Sequence, residues 1–208
     1  MNPSTALLIV DVQYGFMPGG GLPVIDGDAV VPVINRVAPL FTNAVFTQDW
    51  HPADHVSFAA NHPGRQPFET IDLPYGEQVL WPTHCVQGTR DAALHDELHV
   101  PQAQLIIRKG FHRSVDSYSA FMEADRKTST GLAAYLKARN ITSVYLCGLA
   151  TDYCVAWSAL DARAAGFEAT LIEDACRAID LNGSLQKAWV TMADAGVGRI
   201  SSSELMQP

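Results

Sequence analysis

The sequence predicts an α/β fold: a three-layer, Rossmann-like open sheet of six mostly parallel strands with helices on both faces. Three observations point there. Short apolar runs alternate with segments whose apolar residues recur at helical spacing, the pattern of right-handed βαβ units. The first run, residues 6–10 (ALLIV), is continuously apolar, as a strand covered on both faces has to be. Reactive side chains sit at or just after the ends of four of the strands, where open parallel sheets bind their ligands.

The elements follow in order. Residues 6–10 form the first strand and end at Asp11, a carboxylate that would be costly to bury without a partner. Gly19-Gly20-Gly21 lacks the Lys-Ser/Thr of a phosphate loop and reads as a flexible turn. Asp26 or Asp28 can cap a helix across Val30, Val33, Ile34, Val37 and Leu40. Residues 44–47 are the second strand and run into Gln48-Asp49-Trp50-His51-Pro52. The third strand, 105–108, ends in Lys109-Gly110, after a long segment rich in proline and glycine. A stretch that long between core strands is usually functional. Residues 130–139 read as a helix stopped by Asn140, and 144–147 as the fourth strand. A helix over 154–165, stopped by Gly166, follows it. A fifth strand at 168–172, a helix at 184–195 and a weak sixth strand at 198–200 complete the chain.

Composition narrows the function. At 208 residues the chain is read as one domain, 1–208, with a long insertion at about 49–104. Its net charge of −8, with no basic cluster, argues against nucleic acid and acidic membranes as partners. No apolar run approaches a membrane span, and the N-terminus lacks the basic segment of a signal peptide. Four dispersed cysteines without an export signal point to reduced thiols in the cytoplasm.

Two sets of residues carry chemistry. Cys154 lies at the mouth of a helix, where the dipole lowers a thiol pKa. Alone, it reads as a packed core thiol, the commoner fate of a free cysteine. Asp11 and Lys109 change that reading, because the fold brings all three to one rim. A thiolate nucleophile at Cys154 needs a base, Asp11, and a cation, Lys109. Backbone N–H groups at the turn into Cys154 can form an oxyanion hole, so the set suits acyl transfer from an amide. The second set is Asp49, His51 and His84, with His55 nearby. Three N/O ligands with a place left for water is a catalytic metal pattern, for Zn²⁺, Fe²⁺ or Mn²⁺. Zn²⁺ is taken as the first choice.

Five motifs together resemble the nicotinamidase/pyrazinamidase family within the isochorismatase-like cysteine hydrolases. They are Leu8-Ile9-Val10-Asp11-Val12-Gln13, Gln48-Asp49-Trp50-His51-Pro52, Trp81-Pro82-Thr83-His84-Cys85-Val86-Gln87-Gly88-Thr89, Arg108-Lys109-Gly110 and Gly148-Leu149-Ala150-Thr151-Asp152-Tyr153-Cys154-Val155. The resemblance implies hydrolysis of nicotinamide to nicotinate and ammonia, with pyrazinamide as a further substrate. It assigns Asp11, Lys109 and Cys154 to catalysis, and Asp49, His51 and His84 to the metal. It puts a cis peptide at Leu149-Ala150 and the oxyanion donors at Ala150 and Cys154. Phe16, Trp81 and Tyr118 map to the ring pocket. It leaves open the role of His55, a fourth metal ligand and a homo-oligomeric state. The nearest alternative is another amidase of this superfamily, such as an N-carbamoyl amide hydrolase, against which the metal set weighs. A non-catalytic metal- or ligand-binding protein on the same sheet would be told apart by an ammonia-release assay.

Overall fold

The computed structural model describes residues 1–207. In chain order the elements are β1 (Thr5–Val10), α1 (Val30–Val37), β2 (Asn43–Asp49), β3 (Thr70–Leu73), β4 (Gly76–Val79), β5 (Ala103–Lys109), α2 (Leu132–Ala138), β6 (Ser143–Leu149), α3 (Ala156–Ala164), β7 (Glu168–Arg177), α4 (Ser184–Asp194), β8 (Gly198–Ile200) and α5 (Ser202–Leu205). Six strands form one sheet in the order β5-β2-β1-β6-β7-β8, and every neighbouring pair is parallel. The expected α/β architecture is therefore present, with a fully parallel sheet.

β1 is the centre of the sheet, paired with β2 on one side and β6 on the other. All six of its residues are buried, which explains its unbroken apolar run. From β1 the chain moves outward to β2 and β5, then returns to the other side through β6, β7 and β8. Right-handed crossovers in opposite directions put helices on opposite faces: α1 packs with α5, and α3 with α4. The reversal leaves a crevice beyond the carboxyl ends of β1 and β6, where this sheet class binds ligands. Register brings the polar groups to it. Asp49 is paired with Lys109 across β2 and β5, and Val10, just before Asp11, is paired with Gly148.

Several local expectations are corrected. Neither Asp26 nor Asp28 caps α1, whose N-cap is Ala29 and makes no side-chain bond. α1 stops at Val37 and continues as a 3-10 turn, Ala38–Leu40, because Pro39 cannot supply the next helical N–H. Gly20 and Gly21 are packed rather than flexible: an added Cβ would sit 2.2 Å from the Tyr14 carbonyl oxygen and 2.4 Å from that of Thr83, respectively. β2, β5, β6 and β7 all run further than their apolar cores, so Asp49 and Lys109 are the last residues of strands rather than loop residues. The long insertion contains an unforeseen antiparallel hairpin, β3 with β4. Its burial alternates weakly, so it carries little pattern to read.

At the crevice floor Gly148 has φ +115°, and an added Cβ would lie 2.0 Å from the Val10 carbonyl oxygen. Gly148→Ala must therefore part β1 from β6 or distort both. It is expected to lose about 2 kcal/mol of stability, read as a lowered urea midpoint; an unchanged midpoint would show that the strands separate freely.

Candidate active site

The last strand residues converge on one ammonium group. Lys109 is fully buried. Its Nζ lies 2.8 Å from Asp11 Oδ2, bonds to Asp49 Oδ1, donates to the Ser117 carbonyl at 3.1 Å and approaches Cys154 Sγ at 3.3 Å. Burial would push the Lys109 pKa down, but Asp11, Asp49 and Cys154 outweigh it and hold the pKa well above its ordinary value. The side chain stays a cation. The two sets read separately from the sequence are thus one cluster, joined by Lys109.

Asp11 adopts a left-handed backbone, φ +48°, a region open to Asp at modest cost. Thr47 secures it from both sides: the Asp11 N–H donates to Thr47 Oγ1 at 3.1 Å, and the hydroxyl donates to Asp11 Oδ1 at 2.6 Å. Oδ2 has no aligned hydrogen bond, the one buried side-chain polar atom of this kind among the described residues. A carboxylate oxygen of Asp11 lies within 4.8 Å of the Cys154 sulfur. Burial outweighs Lys109 and raises the Asp11 pKa to about 6. A carboxylate with that value is ionised at neutral pH yet basic enough to accept a proton.

Cys154 sits in a π-helical turn, Thr151–Val155, that precedes α3, so the helix begins earlier than its apolar pattern. The expectation of a dipole-lowered thiol is corrected as well. Burial raises the Cys154 pKa well above 9.0, although Lys109 pulls the other way. The resting pair is a thiol beside a carboxylate. The peptide Leu149–Ala150 at the entry to this turn is cis. Within the turn Asp152 accepts from the N–H groups of Ile179 at 3.0 Å and Asp180 at 2.8 Å, which ties the loop after β7 to the cysteine turn.

Asp49, His51 and His84 present ligand atoms within 4.8 Å of one another. Asp49 Oδ1 is taken by Lys109, leaving Oδ2 at 3.7 Å from His51 Nε2 and 3.9 Å from His84 Nε2. Each ring bonds a backbone carbonyl through Nδ1, His51 to Gly110 and His84 to Pro82, both at 2.8 Å. With Nδ1 donating, each Nε2 turns a lone pair inward, the arrangement metal-ligating histidines use. Burial, aided by the His51 ring, lowers the His84 pKa to about 4, so that ring is neutral. Asp49 outweighs burial at His51 and raises its pKa, so a proton competes with a cation there. Asp49 is held well below the usual carboxylate range: burial opposes this, but Lys109, His51 and His84 prevail. The donor set fits a divalent metal. Gly110 is required beside it, since an added Cβ would lie 2.6 Å from His51 Nδ1.

The structure brings Phe16, Trp81, Tyr118, Ala150 and Cys154 to one cavity, with Asp49, His51 and His84 in its wall. Trp81 Nε1 donates to the Tyr118 hydroxyl at 3.0 Å. Sequence reasoning missed Leu22, Asp116, Tyr153 and Ile179, which also line the cavity. Asp116 is buried, accepts from Gln78 Nε2 at 2.8 Å and lies within 4.8 Å of His51 and His55. Nothing in the irregular stretch around it signals this. Gln13 was legible only as part of a motif; its side chain bonds both the N–H and the carbonyl of Asp49, at 2.8 and 2.9 Å. His55 is not turned to the Asp49 cluster: its nitrogens bond Ser57 Oγ at 2.7 Å and the Val115 carbonyl at 3.2 Å, while its ring packs on His51.

The sequence matches the isochorismatase domain over residues 5–204. The chain belongs to the isochorismatase family. Among relatives of this isochorismatase-family chain, a nicotinamidase of Acinetobacter baylyi is 63% identical over 201 residues, covering 97% of this chain and 94% of the relative. The structure of an Acinetobacter baumanii nicotinamidase/pyrazinamidase superposes with a TM-score of 0.98 at 62% identity, covering 99% of this chain and 100% of that one. A pyrazinamidase of Pyrococcus horikoshii in complex with zinc gives 0.79 at 34% identity, covering 96% and 99%.

In this isochorismatase-family site Asp11 is a carboxylate near Cys154 whose pKa is raised, to about 6. Alkylation of Cys154 by iodoacetamide, followed by mass spectrometry, is expected to slow as pH falls through about 6, where Asp11 becomes protonated. Asp11→Asn is expected to slow it at pH 7 by about tenfold or more. An unshifted rate would remove Asp11 as the proton acceptor.

Proposed function

We propose that this chain is a nicotinamidase, hydrolysing nicotinamide to nicotinate and ammonia through a thioester on Cys154. One observation carries the reading. A buried nucleophile–base–cation cluster and a nitrogen- and oxygen-rich metal set share Lys109 and Asp49 at the wall of one aromatic-lined cavity. Nicotinamide has two groups that match: an amide for the first and a ring nitrogen for the second. The nicotinamidases at 62–63% identity support the same substrate. Pyrazinamide keeps both groups and is proposed as an alternative substrate.

The ring enters between Phe16 and Trp81, with Tyr118 behind Trp81. Asp49, His51 and His84 would hold a divalent ion, which would supply Lewis acidity on the side of the pocket that receives the ring nitrogen. Zn²⁺ is the proposed ion, on the grounds of the borderline N/N/O donor set and the zinc bound by the Pyrococcus horikoshii relative. The carboxamide carbon then faces Cys154. Asp11 Oδ2 takes the thiol proton, and the thiolate, beside the Lys109 cation, attacks that carbon. Negative charge passes to the amide oxygen, which the backbone N–H groups of Ala150 and Cys154 receive. Loss of one such donor typically costs about 3 kcal/mol of transition-state stabilisation. Asp11 returns its proton to the nitrogen, the C–N bond breaks and ammonia leaves. Water next gives a proton to Asp11 and attacks the thioester. The C–S bond breaks, nicotinate departs, and Asp11 reprotonates the sulfur.

The four cysteines are buried and unpaired, in keeping with the cytoplasmic setting proposed for this salvage-type reaction. No helix among the described residues is long and apolar enough to cross a membrane.

Cys154→Ala is expected to abolish ammonia release from nicotinamide while leaving metal content unchanged. Mass spectrometry of the wild type after brief mixing with nicotinamide should find the acyl adduct on Cys154; an adduct on Cys85 would sink the assignment. His51→Ala is expected to lose metal and activity together, so full retention of both would contradict the metal set.

A further inference from the structure

Asp91 belongs to neither reactive set, yet its side chain ties two loops of the cavity together. Its Oδ1 accepts the N–H of Gly21 at 3.0 Å, and its Oδ2 that of Cys85 at 2.6 Å. Its carbonyl accepts the N–H of Gly15 at 2.7 Å. The loop from Gly15 to Leu22 delivers Phe16 and Leu22 to the cavity. The other loop carries His84, one residue before Cys85. The Cys85 carbonyl in turn accepts the His51 N–H at 3.1 Å. One carboxylate is thus bonded to the apolar wall and, across a single residue, to the segments bearing both imidazoles.

The packing around it leaves no slack. An added Cβ on Gly15 would lie 2.6 Å from Cys85 Sγ and 2.8 Å from Asp91 Oδ2. On Gly21 it would lie 2.4 Å from the Thr83 carbonyl oxygen and 3.1 Å from Asp91 Oδ2. Cys85 has φ +47°, unusual for a residue other than glycine. Its N–H is fixed by a charge-assisted bond to Asp91, stronger than a neutral one.

We infer that Asp91 is a positioning residue for ring recognition. Touching neither substrate nor metal, it sets Phe16 against His51 and His84, so the pocket wall and the metal ligands keep one spacing. A carboxylate is needed because both partners are N–H donors. An amide of the same size offers one acceptor and turns its NH₂ towards a second donor. The kinetic arm of the inference rests on the proposed nicotinamide hydrolysis; the metal arm does not.

The test uses the full chain and the variants Asp91→Asn and Asp91→Ala. Zn²⁺ alone is titrated against a chromophoric chelator, kcat and KM are measured with nicotinamide, and alkylation of Cys154 by iodoacetamide is timed. Each folded variant is expected to lose about tenfold or more in Zn²⁺ affinity, the scale of losses behind metal ligands, and to show a raised KM. Cys154 alkylation is expected at the wild-type rate, because Asp11 and Lys109 are held from the sheet and not by Asp91. A purely structural role would lower thermal stability alone. Folded Asp91→Asn with wild-type Zn²⁺ affinity or wild-type KM overturns the inference, as does an equal fall in alkylation, and this variant decides if Asp91→Ala does not fold. A wild type that releases no ammonia from nicotinamide overturns the proposed reaction instead, and the Zn²⁺ comparison then decides the role of Asp91.

Discussion

A buried ammonium with two carboxylates beside it is the interaction on which this site depends. Taking Lys109 out of water costs several kcal/mol, recovered only where opposite charges and well-placed acceptors surround it. Asp11, Asp49 and the Ser117 carbonyl meet that condition. They come from the end of β2, the residue just after β1 and a loop, so the cation holds the strand ends and the loop in one arrangement. Each partner is altered by the arrangement: Asp49 is kept strongly acidic, while Asp11, deeper and less well paired, remains a base. One positive charge thereby divides two chemically identical carboxylates between two tasks, proposed here as metal binding and proton transfer.

The parallel sheet makes this placement economical. Its strands end together, and the crossover reversal at β1 opens a crevice above them. Close approach is secured by glycines where other residues would collide: Gly148 under the Val10 carbonyl and Gly110 against the His51 ring. Around the crevice, irregular segments add what strands cannot. Trp81, His84, Asp116 and Tyr118 all arrive from outside the main sheet, and their hydrogen bonds run largely to one another and to backbone. Such a wall is rigid only while each of those bonds is made.

The sheet was largely legible in the sequence because its inner strands β1, β2 and β6 are mostly buried on both faces and so carry compact apolar runs. The helices were legible from the spacing of residues such as Val33, Ile34 and Val37. Their ends were not: Pro39 rather than a cap ended α1, and α3 opened with a π-turn that no apolar pattern marks. Asp11, Asp49, Lys109 and Cys154 stood out because reactive groups at strand ends are expensive without a purpose. Asp116 and Asp91 did not, since residues in irregular segments show no periodicity.

From the sequence alone came the order of strands and helices, the residue types at the strand ends, and the motifs that resemble a cysteine amidase family. These are properties of local pattern and spacing, which one chain displays without folding. Only the tertiary structure decided that the two reactive sets are a single cluster, that Cys154 rests as a thiol, and that Asp11 rather than Asp49 stays basic. Those outcomes depend on burial and on distances of a few ångströms between strands far apart in the chain. A pKa is set by the surroundings that folding creates.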